Sequence, residues 1–260
     1  MTKTILITGA TDGIGLLTAQ KLGALGHKVL LHGRSADKLA KAAAQVHGKP
    51  STYQADLSKM GDVRAMAEAV LSDHERLDVL INNAGVLKTP HAKTAAGRDI
   101  RFDVNTIAPY ILTRALLPII PKAGRVVNLS SAAQAPVDVD GMTVFQPMGD
   151  MEAYAQSKLA ITIWSAEMAK DLPQGPVVVS VNPGSLLASK MVKEGFGVAG
   201  NDLSIGADIL VAASTGSDFA NASGKYFDND SGRFAPPHGA ASQANHVAAV
   251  MSALNSIASA

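Results

Sequence analysis

"TILITGATDGIG", Thr4 to Gly15, passes from a short β-branched and aliphatic run into three glycines spaced G-x-x-x-G-x-G. The run reads as a strand, and Gly9, Gly13 and Gly15 fall where the chain must turn sharply and re-enter as a helix. Glycines there let another backbone or a ligand approach closely. The helix N-terminus offers N–H groups and the positive end of its dipole to a pyrophosphate. A Gly-rich turn can be a mere connection, but the strand before it and the helix after it favour a nucleotide. Gly-Lys-Ser/Thr does not occur in the chain, so this is not a P-loop.

Outward from this turn, short apolar runs alternate with longer alanine-rich segments of helical period. Strands are expected at 4–8, 28–33, 51–55, 78–82, 125–130, 177–182 and 225–227, with helices filling most of the gaps. Val177 to Val181 is apolar almost without alternation, as a strand buried on both faces should be. The pattern predicts an α/β chain: a single-domain, Rossmann-type doubly wound parallel sheet with helices on both faces, spanning 1–260. Two long segments, 132–151 and 185–202, read as binding loops.

Composition narrows the function. The 260 residues carry 23 basic and 22 acidic side chains spread along the chain, which argues against a nucleic-acid partner. Without cysteine there is no disulfide, thiolate zinc site or cysteine nucleophile. The seven histidines show no ligand spacing, so no metal is expected. "DNDSG" (228–232) reads as a turn, because its glycine falls one place early for a calcium loop. No apolar run is long enough to span a membrane, and a strand beginning within a few residues of Met1 leaves no room for a signal peptide. A cytoplasmic protein is expected.

Further chemistry gathers at later strand ends. The second strand ends in "HGRS", with no acid for ribose hydroxyls. Arg34 reads equally as a surface arginine and as a partner for a 2′-phosphate. "NNAG" (82–85) closes the fourth strand and "NLSS" (128–131) the fifth, at the carboxyl rim where open α/β sheets bind ligands. "YAQSKLA" (154–160) then places Tyr154 and Lys158 one helical turn apart. Such a pair arises by chance in a chain of this composition, so its weight comes from the strand ends around it.

Taken together, these motifs resemble the classical short-chain dehydrogenase/reductase family over nearly the whole chain. The matching features are Thr-Gly-x-x-x-Gly-x-Gly at 8–15, Asp56-Leu57, Asn-Asn-Ala-Gly at 82–85, Asn105, Ser131, Tyr154-x-x-x-Lys158 and Pro183-Gly184. "YAQSKLA" and "SGKYFDN" are similar to the retinol-dehydrogenase-like branch. The resemblance implies that Tyr154 is a general acid/base and that Lys158 lowers its pKa and holds the nicotinamide ribose. Ser131, rather than Ser130, would bind the substrate oxygen, and Asn105 would support Lys158 through water. It also implies a cofactor-binding set of Gly9, Thr11, Asp12, Gly13, Ile14, Gly15, Arg34, Asp56, Leu57, Asn83, Ala84, Gly85, Tyr154, Lys158, Pro183 and Gly184. Asp56 would meet the adenine, and the segment after Pro183-Gly184 would cover the nicotinamide.

The expected activity is hydride transfer between a nicotinamide cofactor and a small-molecule carbonyl/alcohol pair, lipophilic because the loops are apolar. NADP(H) is preferred and NAD(H) stays in contention. Three departures from the family pattern qualify this. Ser131 lies unusually far before Tyr154, which makes 132–151 a wall of the substrate pocket. "SLLAS" replaces the usual threonine after Pro-Gly, leaving Ser185 and Ser189 as alternatives for the carboxamide. Asp12 would oppose a 2′-phosphate if it pointed inward. A nucleotide-sugar epimerase or dehydratase and a non-catalytic dinucleotide sensor are the rival readings. Homo-oligomerisation stays open, with Ile161, Trp164 and Met168 read as core or as subunit contact.

Overall fold

The computed structural model describes residues 2–259. The first half of the chain runs β1 (Thr4–Ile7), α1 (Gly13–Ala24), β2 (Lys28–Gly33), α2 (Ala36–Ala43), β3 (Ser51–Gln54), α3 (Met60–Asp73) and β4 (Val79–Asn82). A composite helix follows, made of α4 (Ile100–Phe102), a π-helical turn (Asp103–Ile107) and α5 (Ala108–Leu116). The second half contains β5 (Arg125–Leu129), α6 (Val139–Thr143), α7 (Asp150–Asp171), β6 (Val177–Asn182), α8 (Lys190–Phe196), α9 (Leu203–Thr215), β7 (Tyr226–Asp228), β8 (Arg233–Ala235) and α10 (Ala244–Ser259). Strand order is β3-β2-β1-β4-β5-β6-β7-β8, doubly wound from β1 outward.

Alternation along the strands builds two cores. Leu6, Leu30, Leu80, Val126 and Val178 face α3, α5, α7 and α10. Ile5, Ile7, Leu31, Val79, Ile81, Val127 and Val179 face α1, α2 and α9. With both faces covered, the strands are apolar throughout, and each buried Leu or Ile side chain contributes roughly 1.5–3 kcal/mol. The β-strand ends at positions 8, 55 and 130 fall one residue inside the expected limits, where polar groups turn away to form the rim.

Two expectations need correction. The sheet is not wholly parallel: β8 pairs antiparallel with β7 and forms one edge. Its three residues are too few to show a period; Phe234 secures them by packing on Phe219 and Phe227 at centroid distances of 5.4 and 5.1 Å. The last parallel strand also lies one residue later than expected, because Tyr226 to Asp228 are the residues that pair with β6.

Ile161, Trp164 and Met168 resolve to core. Helix α10 lays Val250 and Leu254 into the same cluster, and the Tyr110 hydroxyl donates to Asn255 Oδ1 at 2.6 Å while its ring meets Trp164 edge-on. No helix among the described residues is long and apolar enough to cross a membrane.

Candidate active site

The carboxyl ends of β1 and β4 are locked together by two side chains. Thr8 Oγ1 accepts from the backbone amides of Asn83 and Ala84 at 3.0 and 3.1 Å. Asn83 Nδ2 returns bonds to the carbonyls of Thr8 and Gly9 at 2.8 and 3.0 Å. A Cβ on Gly15 would lie 2.4 Å from both Asn83 Nδ2 and Gly9 O, and Gly9 has φ +66 with Ala84 Cα 2.9 Å from where its Cβ would stand. These two glycines are therefore required by packing within the turn.

Buried His32 fastens the turn to β2 and β3. The Gly9 amide donates to Nδ1 at 3.2 Å, so Nε2 carries the proton and donates to the Ala55 carbonyl at 3.1 Å. Burial pushes its pKa down to about 4, leaving a neutral ring at neutral pH.

A cleft of about 980 Å³ runs along this rim from Arg34 to Tyr154. Gly13 and Gly85 form open parts of its wall. A Cβ on Gly13 would find nothing nearer than Ser189 Cβ at 3.9 Å, and one on Gly85 would enter the space between Asn105 Oδ1, Met191 Cε and Lys158 Nζ at 3.5–3.7 Å. An elongated ligand can thus lie against backbone at both places, as a dinucleotide requires. Thr11, Asp12, Ile14, Asp56, Leu57, Ala84 and Pro183 also line the cleft.

At one end, a Cβ on Gly33 would lie 2.4 Å from Thr11 Cγ2, so an acid at this position would require the Thr11 side chain to move. Arg34 and Lys38 are exposed there, with Ser35 between them capping α2 through a bond from the Lys38 amide. Burial pushes the Asp56 carboxyl up, but hydrogen bonds from Ser58 and the charge of Arg34 outweigh it and hold the group below its ordinary value. Asp12 is exposed, with no side-chain bond to the amides of α1.

At the other end stand Tyr154 and Lys158. Burial raises the phenol's pKa, and a hydrogen bond with Ser131 opposes the rise. Lys158 Nζ donates to the Leu129 carbonyl at 2.6 Å and lies 5.5 Å from the centre of the Tyr154 ring. Burial pushes its pKa down to about 7, so its charge is present below that pH and lost above it. In the protein alone the Lys158 ammonium is directed at the Leu129 carbonyl and not at the phenol oxygen. Desolvation dominates both groups.

Ser130 and Ser131 take different partners, and Ser130 is the one of the two that lines the cleft. Ser130 Oγ bonds the Lys158 carbonyl and Thr162 hydroxyl inside the fold, whereas Ser131 meets the phenol. Asn105 ties the loop after β4 to α7. Its amide donates to the Val86 carbonyl and Ser157 Oγ at 3.0 and 2.9 Å, and its oxygen accepts from the Val86 amide. Its side chain is thus spent on holding two neighbours. The π turn around it also binds the Tyr154 helix, through Thr106 Oγ1 to the Ser157 carbonyl at 2.7 Å. Just before the turn, fully buried Arg101 bridges Asp99 and Asp150, joining α4 to the first turn of α7.

Asn105, Ser131 and Gly184 do not line the cleft directly, while His32, Ser35, Lys38, Leu87, Ser189 and Met191 do, beyond the set expected from sequence. Ser35 and Ser189 had a readable signal, since each caps the helix after it. Ser185 is turned onto Asp230, so of the two alternatives Ser189 is the one in the cleft. Segment 132–151 is ordered by α6, by the bond from the Asp138 amide to Gln156 Oε1 at 2.8 Å and by that from the Val137 amide to His246. No cluster of three His, Asp or Glu side chains among the described residues could hold a metal ion.

Residues 3–196 match the profile of a family described as short chain dehydrogenase. Retinol dehydrogenase 13 of Homo sapiens is 30% identical over 253 residues, which cover 87% of this chain and 76% of that protein. A solved short chain dehydrogenase from Shigella flexneri complexed with NADP is 27% identical with a TM-score of 0.70, covering 88% of this chain and 97% of that one. The landomycin C-6 ketoreductase LanV, solved with NADP and rabelomycin, is 29% identical with a TM-score of 0.70, covering 87% and 94%.

Proposed function

The chain belongs to the classical short-chain dehydrogenase/reductase family, in its retinol-dehydrogenase-like branch, and from that premise we propose an NADP(H)-dependent oxidoreductase interconverting a lipophilic carbonyl compound and its alcohol. The observation that carries the reading is that Tyr154 and Lys158, with Nζ 5.5 Å from the phenol ring, close one end of a cleft that runs past the glycine-rich turn to Arg34 and Lys38 at the other. A retinol dehydrogenase and a ketoreductase with bound NADP among the relatives support both the reaction and the cofactor. Apolar Val86, Leu87, Ile100, Val104, Leu129 and Met191, which line the cleft, support a lipophilic substrate.

When bound, the nicotinamide supplies or accepts the hydride. The protein's part is to move the proton. Tyr154 Oη donates it to the carbonyl oxygen in reduction and recovers it in oxidation, and Ser131 Oγ orients that oxygen. The raised phenol pKa keeps Tyr154 protonated at neutral pH, the state that reduction needs. Lys158 and Gly85 border the space for the nicotinamide ribose, Ser189 stands where it can meet the nicotinamide carboxamide, and Asn105 positions Lys158 and Tyr154 through Val86 and Ser157. The glycine-rich turn holds the pyrophosphate, and Asp56 with Leu57 meets the adenine.

Arg34 decides the cofactor, with Lys38 as a second cation and Asp12 exposed enough to turn into water. Arg34→Ala should weaken NADPH binding by about tenfold, the low end for a hydrogen bond to a charged group because the site is exposed, and leave NADH almost unchanged. Titration of wild type and variant with both reduced cofactors reads this directly. Equal losses for the two would make Arg34 an adenine or packing contact, and wild-type preference for NADH would overturn the NADP assignment.

A further inference from the structure

β7 and the turn after it lie beyond the residues that match the family profile, yet two of their side chains reach back to residues that flank the cleft, Ser131 and Ser185. Buried Tyr226 donates from its hydroxyl to the Ser131 carbonyl at 3.0 Å. Ser131 has another backbone restraint on the same oxygen, from Gln134 Nε2 at 3.0 Å, so two donors converge on the residue that meets the Tyr154 phenol.

The turn holds the other wall. Asp230 accepts from the Ser185 amide at 2.8 Å and from the Ser185 hydroxyl at 2.5 Å, and its Oδ2 also accepts from Asn182 Nδ2 at 2.9 Å. Asn229 Nδ2 donates to the Pro183 carbonyl at 2.9 Å, and Asn182 Oδ1 accepts from the Gly184 amide at 3.3 Å. Pro183, Gly184 and Ser185 each have a backbone group held by the turn or by its Asn182 partner. This is the root of the segment that brings Ser189 and Met191 into the cleft. Gly184 has φ +124 and Leu186 φ +51, so the chain bends through the left-handed region on both sides of Ser185, and the Asp230 clamp sits between the bends. Asp230 itself is exposed and packs no core, so its bonds serve the segment and not the fold.

We propose that Tyr226 and Asp230 are positioning residues for the two walls of the active cleft: Tyr226 sets Ser131 against the substrate oxygen, and Asp230 sets the 183–191 segment against the cofactor. The proposal rests on the oxidoreductase reading above. It also explains what the acidic turn is for, since its carboxylates are already committed to protein donors.

The two halves predict different kinetic signatures. Tyr226→Phe keeps the ring and removes one hydrogen bond, so kcat should fall about tenfold or more through misplacement of Ser131, with NADPH affinity unchanged. Asp230→Ala should raise the Kd for NADPH, followed by its fluorescence, about tenfold while thermal unfolding stays near wild type. Asp230→Asn should recover only part of that loss, because Oδ1 still accepts the Ser185 amide while the new Nδ2 faces the Asn182 Nδ2 donor that the carboxylate had accepted from. The Tyr226 assignment is overturned if kcat is unchanged or if kcat and NADPH affinity fall together with stability. The Asp230 assignment is overturned if NADPH affinity is unchanged in Asp230→Ala or if it falls only together with thermal stability. Tyr154→Phe serves as the control for the reaction itself. If it keeps full turnover, the assignment of Tyr154 as the proton carrier fails and takes the Tyr226 half with it, while the NADPH titration still decides the Asp230 half.

Discussion

Tyr154→Phe should bind NADPH as wild type does and lose about 10²- to 10⁴-fold in kcat, the usual contribution of a positioned general acid. The substitution removes one oxygen and leaves the ring that Lys158 faces at 5.5 Å. It also leaves untouched the α7 backbone, whose Tyr154 carbonyl accepts from Ser157 Oγ at 2.7 Å. Only the proton carrier and its bond with Ser131 disappear. Steady-state turnover combined with NADPH titration separates the two effects, and a variant with near-normal kcat would remove Tyr154 from the chemistry.

The second large effect is on the frame behind the site. Arg101 is 1% exposed and its guanidinium holds Asp99, itself fully buried, through Nε at 2.8 Å and Nη2 at 2.5 Å, while Nη1 reaches Asp150 at 2.6 Å. Asp99 also accepts from the Arg101 amide as the cap of α4. Arg101→Ala leaves the Asp99 carboxylate in the interior without its partner, and breaking a buried pair in this way costs about 3–5 kcal/mol. Chemical denaturation should show the loss as a lower midpoint with an unchanged slope. Because the same arginine ties α4 to the start of α7, the folded fraction should also turn over more slowly. A midpoint within experimental error of wild type would mean that water or another cation already serves Asp99.

Where the sequence could be read, local chemistry decided the matter. The Thr8–Gly15 turn was legible because its glycines are demanded by contacts at close range, such as Gly9 O against Gly15. The Tyr154–Lys158 pair was legible because both lie on one uninterrupted helix. What escaped depends on partners distant in the chain. His32 gains meaning only when Gly9 and Ala55 converge on its two nitrogens. Arg101 is one of several arginines until Asp150, 49 residues on, closes over it. Asp230 reads as a turn residue until Ser185 arrives on its carboxylate. Lys158 is the sharpest case. Its spacing from Tyr154 was correct, but its depressed pKa and its bond to Leu129 follow from burial, which no four-residue pattern encodes.

The central claim is hydride exchange between NADP(H) and a carbonyl carbon at Tyr154, and isotope transfer tests it most directly. Wild-type protein is incubated with NADPH deuterated at C4 and a panel of lipophilic ketones and aldehydes, and the products are read by mass spectrometry alongside Tyr154→Phe. The account predicts an alcohol carrying deuterium on its carbinol carbon with the wild type and a loss of that product by at least about a hundredfold with the variant. NADPH that binds but passes no deuterium to any substrate, or equal labelling by both proteins, would contradict it.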